Sequence, residues 1–243
     1  MTDTNAARQD VVELRQYTLH PGQRDTLIDL FDTHFVDGQE AVGMHVVGQF
    51  RDLDDPDRFV WLRGFDSMPA RAEALASFYY GPVWQAHSSA ANATMIDSDN
   101  VLLLRPVRLG GDYPVYGASR PPVVVSESVV GITVLVHDGS MLEGRLDEVV
   151  TRAGAELSAA GGPPTAVFVS DPAENTFPVL PVRAENVVVW VSRFADDDAW
   201  AAHRDHLATS SSWQDDVLPE LLGAATQPLQ QLRLRPTAGS QLR

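Results

Sequence analysis

The stretch YYGPVWQAH, from Tyr79 to His87, gathers two phenols, an indole and an imidazole within nine residues. An imidazole titrates near neutral pH and can take or give a proton there, and a phenol hydroxyl can polarise a carbonyl. His87 with Tyr80 or Tyr79, one to two helical turns before it, is therefore a candidate for acid–base chemistry. The competing reading makes His87 a half-exposed helical residue packed on the turn of Trp84.

A second constellation lies near the start. Glu13, Arg15 and Tyr17 alternate in VVELRQYTLHPGQ and so share one face of a strand. They either line a cavity, where Arg15 can grip a carboxylate or enolate through two donors, or form a buried ion pair of Glu13 with Arg15 or Arg63. His45 opens an internal strand and is expected to reach the cavity of His87. Trp61 and Trp84 are expected to supply apolar walls. His34 falls on the apolar stripe of the first helix and reads as a core residue. His203 and His206 are three apart on a helix near Asp196, Asp197 and Asp198. Two imidazoles on one face can ligate a metal, but spacing places no third ligand, and a solvated face is the better reading, so no metal is expected.

Composition removes whole classes of function. Every basic residue is Arg, so a lysine base or Schiff base is excluded; without Cys there is no disulfide, thiolate nucleophile or thiolate metal site. A net charge of −15 disfavours nucleic acid and anionic membranes as partners. No GxGxxG after a strand, P-loop or GxSxG elbow is present, which disfavours nicotinamide, ATP and serine-hydrolase chemistry. The start MTDTNAARQD is polar and unlike a signal peptide, and no apolar run approaches a membrane span. A cytoplasmic protein is expected.

The elements that must hold these residues follow from pattern. VVELRQYTL reads as a strand ending at Pro21-Gly22, RDTLIDLFDTHFVDGQEA as a helix, HVVGQF and RFVWLRGF as strands, SMPARAEALASFYYGPVWQAHSSAANATMI as a helix broken at Gly81-Pro82, and NVLLLRPVRL as a strand. The order β-α-β-β-α-β then recurs. Trp61 and Trp84 are 23 residues apart, as are Trp190 and Trp213, and Gln follows the second Trp each time. His87 becomes Asp216 in the second copy. Aligned on their turns, Glu13, Arg15 and Tyr17 fall on Val130, Ile132 and Val134. The expected organisation is a tail over 1–10, a first ferredoxin-like half over 11–108, a Gly/Pro linker over 109–122, a second half over 123–236 and a tail over 237–243. The fold class is α+β: two βαββαβ halves whose apolar sheet faces pack together and close a barrel with helices outside.

The opening VVELRQYTLHPGQ resembles the first signature of the NIPSNAP family, an acidic residue, an apolar one, Arg, any residue and Tyr before a Pro-Gly turn. WLRGFDSMPARAEALASFYYGPVWQ resembles its second signature, an aromatic strand, a polar cap, an Arg/Ala-rich helix and Trp-Gln. The resemblance implies the dimeric α/β-barrel superfamily, here tandem duplicated within one chain. Relatives in that superfamily include antibiotic-biosynthesis monooxygenases, haem-degrading monooxygenases and small polyketide cyclases. By that resemblance a pocket lies between sheet and helices, and the His87 position serves as base or haem ligand.

The expected function is a cofactor-independent enzyme, a cyclase, isomerase or oxygenase, acting on an apolar polyketide-like or aromatic molecule. His87, Tyr80 and Arg15 would be catalytic, and Glu13, Tyr17, Tyr79, His45, Trp61 and Trp84 would bind substrate. The alternatives are a non-catalytic binding or scaffold protein and a haem-binding monooxygenase-like protein. The partner is a small molecule, and a homodimer of the whole chain is allowed. One working pocket is expected, in the first half. The long loop DPAENTFPVLPVRAE, Asp171 to Glu185, is expected to cover the mouth of a cavity or the second half's vacated pocket.

Overall fold

Eight apolar, β-branched-rich segments form strands, and all of them pair antiparallel. The computed structural model describes residues 9–107, 125–139 and 144–243. The strands are β1 (Val11–Leu19), β2 (His45–Asp52), β3 (Arg58–Phe65), β4 (Met95–Pro106), β5 (Val129–His137), β6 (Pro164–Ser170), β7 (Asn186–Phe194) and β8 (Gln230–Pro236). They close into a barrel in the order β1-β3-β2-β8-β5-β7-β6-β4. The first four and the last four strands therefore have the same order within their halves. Two short seams join them, β2 with β8 and β4 with β6.

Alternation decides what each strand face meets. Val12 and Leu14 of β1, with Val60, Leu62, Ile132, Val189 and Leu234 from other strands, fill the barrel interior. Their neighbours point outward under the helices: Val11, Tyr17, Trp61 and Phe65 in the first half, Leu135, Val188 and Trp190 in the second. The interior is thus a packed core, and any site must lie between a sheet's outer face and its helices.

The first half carries α1 (Arg24–Leu30), a π-helical turn over Phe31–Phe35, α2 (Val36–Glu40), α3 (Met68–Tyr79) and α4 (Pro82–Asn92). The single helix expected over Arg24 to Ala41 thus contains a π turn. Ser67 caps α3 by accepting from the Ala70 N–H at 3.2 Å, and Gly81-Pro82 separates α3 from α4. The second half carries α5 (Leu146–Ala159), α6 (Asp197–Thr209), a π turn over Ser212–Val217 and α7 (Leu218–Ala224). Asp196 caps α6 through the Ala199 N–H at 2.8 Å.

The repeated Trp-Gln has a structural meaning at this helix break. Gln85 Nε2 donates to the carbonyl of Tyr80 at 3.0 Å, and Gln214 Nε2 donates to that of Leu207 at 2.9 Å. Each amide satisfies a carbonyl orphaned where the preceding helix stops.

Two expectations change. The segment 237–243 is no tail: Thr237, Ser240 and Leu242 are buried, the Leu242 N–H donates to Val47 O at 2.9 Å, and its side chain joins the barrel core. An apolar side chain beside Gly48, which has no side chain of its own, explains the docking. The strand correspondence also shifts by one. Arg15 lies opposite Trp61 and Thr133 opposite Trp190, so Glu13, Arg15 and Tyr17 correspond to Gly131, Thr133 and Leu135. The first half has one more residue between this face and its turn glycine, Gly22 against Gly139, and a one-residue slip exchanges the faces of a strand. Of the expected tail 1–10, residues 1–8 lie outside the described residues, as do the expected linker 109–122 and residues 123 and 124 of the second half.

Candidate functional site

The outward face of β1 and β3 carries an ion-pair cluster. Glu13 is fully buried, and three equally buried guanidiniums converge on it: Arg15 Nη1 at 2.7 Å, Arg63 Nε at 2.8 Å and Arg71 Nε at 2.6 Å. Burial by itself would raise the Glu13 carboxyl, but the Arg63, Arg15 and Arg71 charges outweigh it and hold the group well below the usual carboxylate range. Neutral acceptors take up further donors. Arg15 Nε donates to Tyr17 Oη at 2.9 Å, Arg63 Nη1 to Gln39 Oε1 at 3.1 Å and to Tyr79 Oη at 3.4 Å, and Arg71 Nη1 to Asn175 Oδ1 at 3.0 Å.

Above this cluster lies a cavity of about 100 Å³ between the sheet and α1 to α4. Its walls are mainly aromatic: Phe31, Phe35, Trp61, Phe78, Tyr79 and Trp84. Arg15, Tyr17, Gln39, Asn92 and Ser98 supply the polar part of the lining. Arg15 sits over the rings of Tyr17 and Trp61, 5.4 and 5.5 Å from their centroids, so the charge is held by aromatic faces as well as by Glu13. Burial pushes the Tyr17 phenol up, so it stays protonated at neutral pH. With its oxygen accepting from Arg15, Tyr17 has its own O–H to offer a ligand oxygen. The lining contains no imidazole and no carboxylate.

The loop between β6 and β7 completes the cavity from the other half of the chain. Phe177 is buried among the first half's core residues and stacks on Tyr79, centroids 6.1 Å apart. Leu180 forms part of the cavity wall. Asn175 holds the two together: its Oδ1 accepts from Arg71, and its Nδ2 donates to Leu180 O at 2.9 Å. The loop expected to cover the mouth of a cavity thus lies over the first half.

Arg15, Tyr17, Tyr79, Trp61 and Trp84, five of the sequence candidates, line the cavity, and Glu13 lies beneath it. Three do not line it. His87 is on α4 but stacks on His34, with ring centroids 3.8 Å apart and planes 11° from parallel. The expectation of His87 as the pocket's base is corrected: α4 presents Trp84 and Ala91 to the cavity, and His87 turns to α1's half-exposed edge. His34 is correspondingly no core residue. Tyr80 is 63% exposed at the end of α3, beside Phe177 rather than in the cavity. His45 pairs with Asp66 Oδ1 at 3.2 Å at the sheet's rim. Among the residues not anticipated as site members are Arg71, Gln39, Asn175 and Leu180 and the lining residues Phe31, Phe35, Phe78, Asn92 and Ser98, while Arg63 was expected only as an ion-pair partner of Glu13. Arg71 had a signal: it shares the apolar stripe of α3 with Ala74, Leu75 and Phe78, a place where an arginine must find a buried partner.

The second half carries none of the Glu13 cluster at the equivalent positions. Gly131, Thr133, Ser192 and Trp200 stand where Glu13, Arg15, Arg63 and Arg71 stand in the first. A Cβ on Gly131 would lie 2.4 Å from Trp200 Cζ3, so the glycine makes room for the indole that fills the space. His203 is buried there with Nδ1 3.1 Å from Ala160 O, which corrects the solvated-face reading of that histidine. What remains is a space of about 20 Å³. Among the described residues no group of three or more His, Cys, Asp or Glu could hold a metal, and no helix is long and apolar enough to cross a membrane.

The architecture has precedents among solved structures. A candidate monooxygenase of Fusobacterium nucleatum superposes with a TM-score of 0.59 at 8% identity, covering 95% of this chain and 93% of that one. An anthrone oxidase-like protein gives 0.64 at 13% identity, with 98% and 97% covered. A second candidate monooxygenase, from Lactobacillus acidophilus, gives 0.54 at 14% identity, with 96% and 98% covered. At these identities the likeness is one of fold. No curated protein matches the chain's sequence. The NIPSNAP family model matches residues 12–109, the part that carries β1 to β4 and every residue of the Glu13 cluster contributed by strands and α3. Over those residues the chain matches the NIPSNAP family.

Proposed function

We propose that the first-half cavity is the active site of a monooxygenase- or oxidase-type enzyme that uses no organic cofactor and acts on an enolisable ketone or phenol with an apolar, ring-containing body. The observation that carries this reading is the Arg15–Tyr17 pair set into an otherwise aromatic wall. Two neighbouring donors in an aromatic wall, a guanidinium and a phenol O–H, stabilise negative charge that develops on a substrate carbonyl oxygen beside them. The fold shared with candidate monooxygenases and an anthrone oxidase-like protein supports the reaction class. The whole chain is read as two fused copies of one unit, of which the first keeps the site.

With neither carboxylate nor imidazole in the lining, the carbon acid ionises by its own acidity, increased by the Arg15 charge, and its proton leaves with water. The resulting carbanion carbon forms a C–O bond with dioxygen, giving a peroxide anion that takes a proton back from water to become a hydroperoxide. Loss of the remaining proton on that carbon with cleavage of the O–O bond leaves a new carbonyl and releases water. Dioxygen is the oxidant, and the substrate carbon supplies the electrons. Haem does not fit this site: no imidazole lines the cavity, and its volume of about 100 Å³ is below the roughly 150 Å³ that accepts a single benzene. The same comparison means that a ring-sized substrate enters only if Leu180 and its loop give way.

The test is oxygen uptake by the purified chain with a panel of fused-ring ketones and phenols. Substrate-dependent uptake is expected, with kcat lowered about 10²–10³-fold in Arg15→Gln or Tyr17→Phe, the loss typical of one oxyanion donor. A non-catalytic binding protein is the second reading, favoured by the lack of a titratable base in the lining. Ligand binding without uptake across the panel would establish it.

A further inference from the structure

We infer that the cavity takes its ligand as an anion, so that the substrate class is a carboxylate or the conjugate base of an enol or phenol rather than a neutral ketone. The inference rests on reading the cavity as a ligand site and goes further in naming the ligand's charge. Three buried guanidiniums share one carboxylate among the described residues, which leaves two positive charges without a partner of opposite sign. Neutral oxygens from Tyr17, Gln39, Tyr79 and Asn175 accept from these groups but cancel no charge.

The cluster is also short of acceptors. Among the described residues Arg71 Nη2 is buried without a hydrogen-bond partner, and so is the indole N–H of Trp61, which is 1% exposed and forms part of the cavity wall. Arginines do not titrate to escape burial, so the excess charge persists. An anionic head in the cavity meets Arg15, the guanidinium in its lining, with Arg63 and Arg71 behind it on Glu13, and aromatic rings surround the rest of the ligand. A neutral isostere finds the same shape without the charge complement. The second half supplies the internal contrast: where Gly131, Thr133, Ser192 and Trp200 stand in place of the cluster, most of the space is gone, and Arg204, the arginine in its lining, is exposed rather than buried.

The test is equilibrium binding to the full chain under argon, where no oxygen-dependent turnover occurs. Two matched pairs, propionate with propionamide and benzoate with benzamide, are titrated calorimetrically at pH 7 and constant ionic strength. In at least one pair the carboxylate is expected to bind about tenfold or more tighter than the amide, the gain ordinarily carried by a hydrogen bond to a charged group. Arg15→Gln should abolish the preference; if that variant does not fold, the wild-type comparison decides alone. Equal binding within both pairs, or no binding of any of the four, overturns the inference. An anion preference without oxygen uptake on any ketone or phenol would sink the oxygenase reading and leave this one standing; uptake without the preference would do the reverse.

Discussion

Arg71 Nη1 donates to Asn175 Oδ1 at 3.0 Å, a bond between residues 104 positions apart that belong to different halves of the barrel. Through it the Glu13 cluster reaches the cavity from two sides. Arg15 enters the wall directly, while Arg71 acts through Asn175, which holds the backbone of Leu180. A half without such an ionic cluster of its own thus contributes a wall to the cavity of the other.

Cutting this link should loosen the loop without unfolding the barrel. Asn175→Ala removes the acceptor for Arg71 and the donor to Leu180 O, and Phe177→Ala removes the stack on Tyr79. Each should raise the rate of limited proteolysis within 171–185 several-fold, while stability falls by about 1–2 kcal/mol in Asn175→Ala and by about 3–5 kcal/mol in Phe177→Ala, which empties a buried position. Unchanged cleavage in both variants would show that the loop is held by other contacts.

Glu13 should be the costliest single residue to neutralise. Glu13→Gln leaves three buried guanidiniums with no carboxylate, and breaking such a buried cluster typically costs about 3–5 kcal/mol. The sign of the pH dependence follows from the depressed carboxyl. Its stabilisation is fully present above the ordinary carboxylate range, starts to fall below about pH 4.5 and disappears as pH drops through the lowered folded value. Urea denaturation of wild type and variant between pH 7 and pH 3 should show the two stabilities converging as pH falls. Parallel curves would contradict the assignment.

Much of this arrangement was legible in the sequence, and the rest was not for identifiable reasons. The alternation of Glu13, Arg15 and Tyr17 and the repeated Trp spacing are short-range signals, and they point to the barrel and to four cavity residues, Arg15, Tyr17, Trp61 and Trp84. His87 misleads because a residue type suited to catalysis does not reveal which helix face it occupies; α4 spends its inward face on Trp84 and Ala91. The one-residue shift that places Thr133 rather than Ile132 opposite Trp190 depends on strand register, which pairing sets and turn motifs do not. Asn175 has no local signal, since its partner Arg71 is distant in the chain.

Gly131 should tolerate no side chain while Trp200 is present. Gly131→Ala places a carbon 2.4 Å from the indole and is expected to cost about 1–3 kcal/mol, the usual penalty of overpacking. Trp200→Leu should relieve that penalty in the double variant, giving a coupling of opposite sign to the single costs. Additive losses would mean that the two residues do not share the space.

His203 should make the second half sensitive to mild acid. Burial pushes its imidazole down, although the Ala160 carbonyl acts the other way. A lowered folded value means that the stabilisation is present above the ordinary imidazole value near pH 6.5 and is lost as pH falls through the folded one. Thermal melts from pH 7.5 to pH 5 should show a decline that His203→Gln flattens. The same decline in the variant would place its source elsewhere.

The most direct measurement pairs equivalent positions in the two halves. Arg15→Gln and Thr133→Val alter the residues opposite Trp61 and Trp190, each verified as folded by circular dichroism, and substrate-dependent oxygen uptake is then compared with wild type. If the first-half cavity is the working site, uptake falls at least about 10²-fold in Arg15→Gln and stays within about twofold of wild type in Thr133→Val. Equal losses in both variants, or a loss confined to Thr133→Val, would contradict the placement of function in the Arg15–Tyr17 cavity.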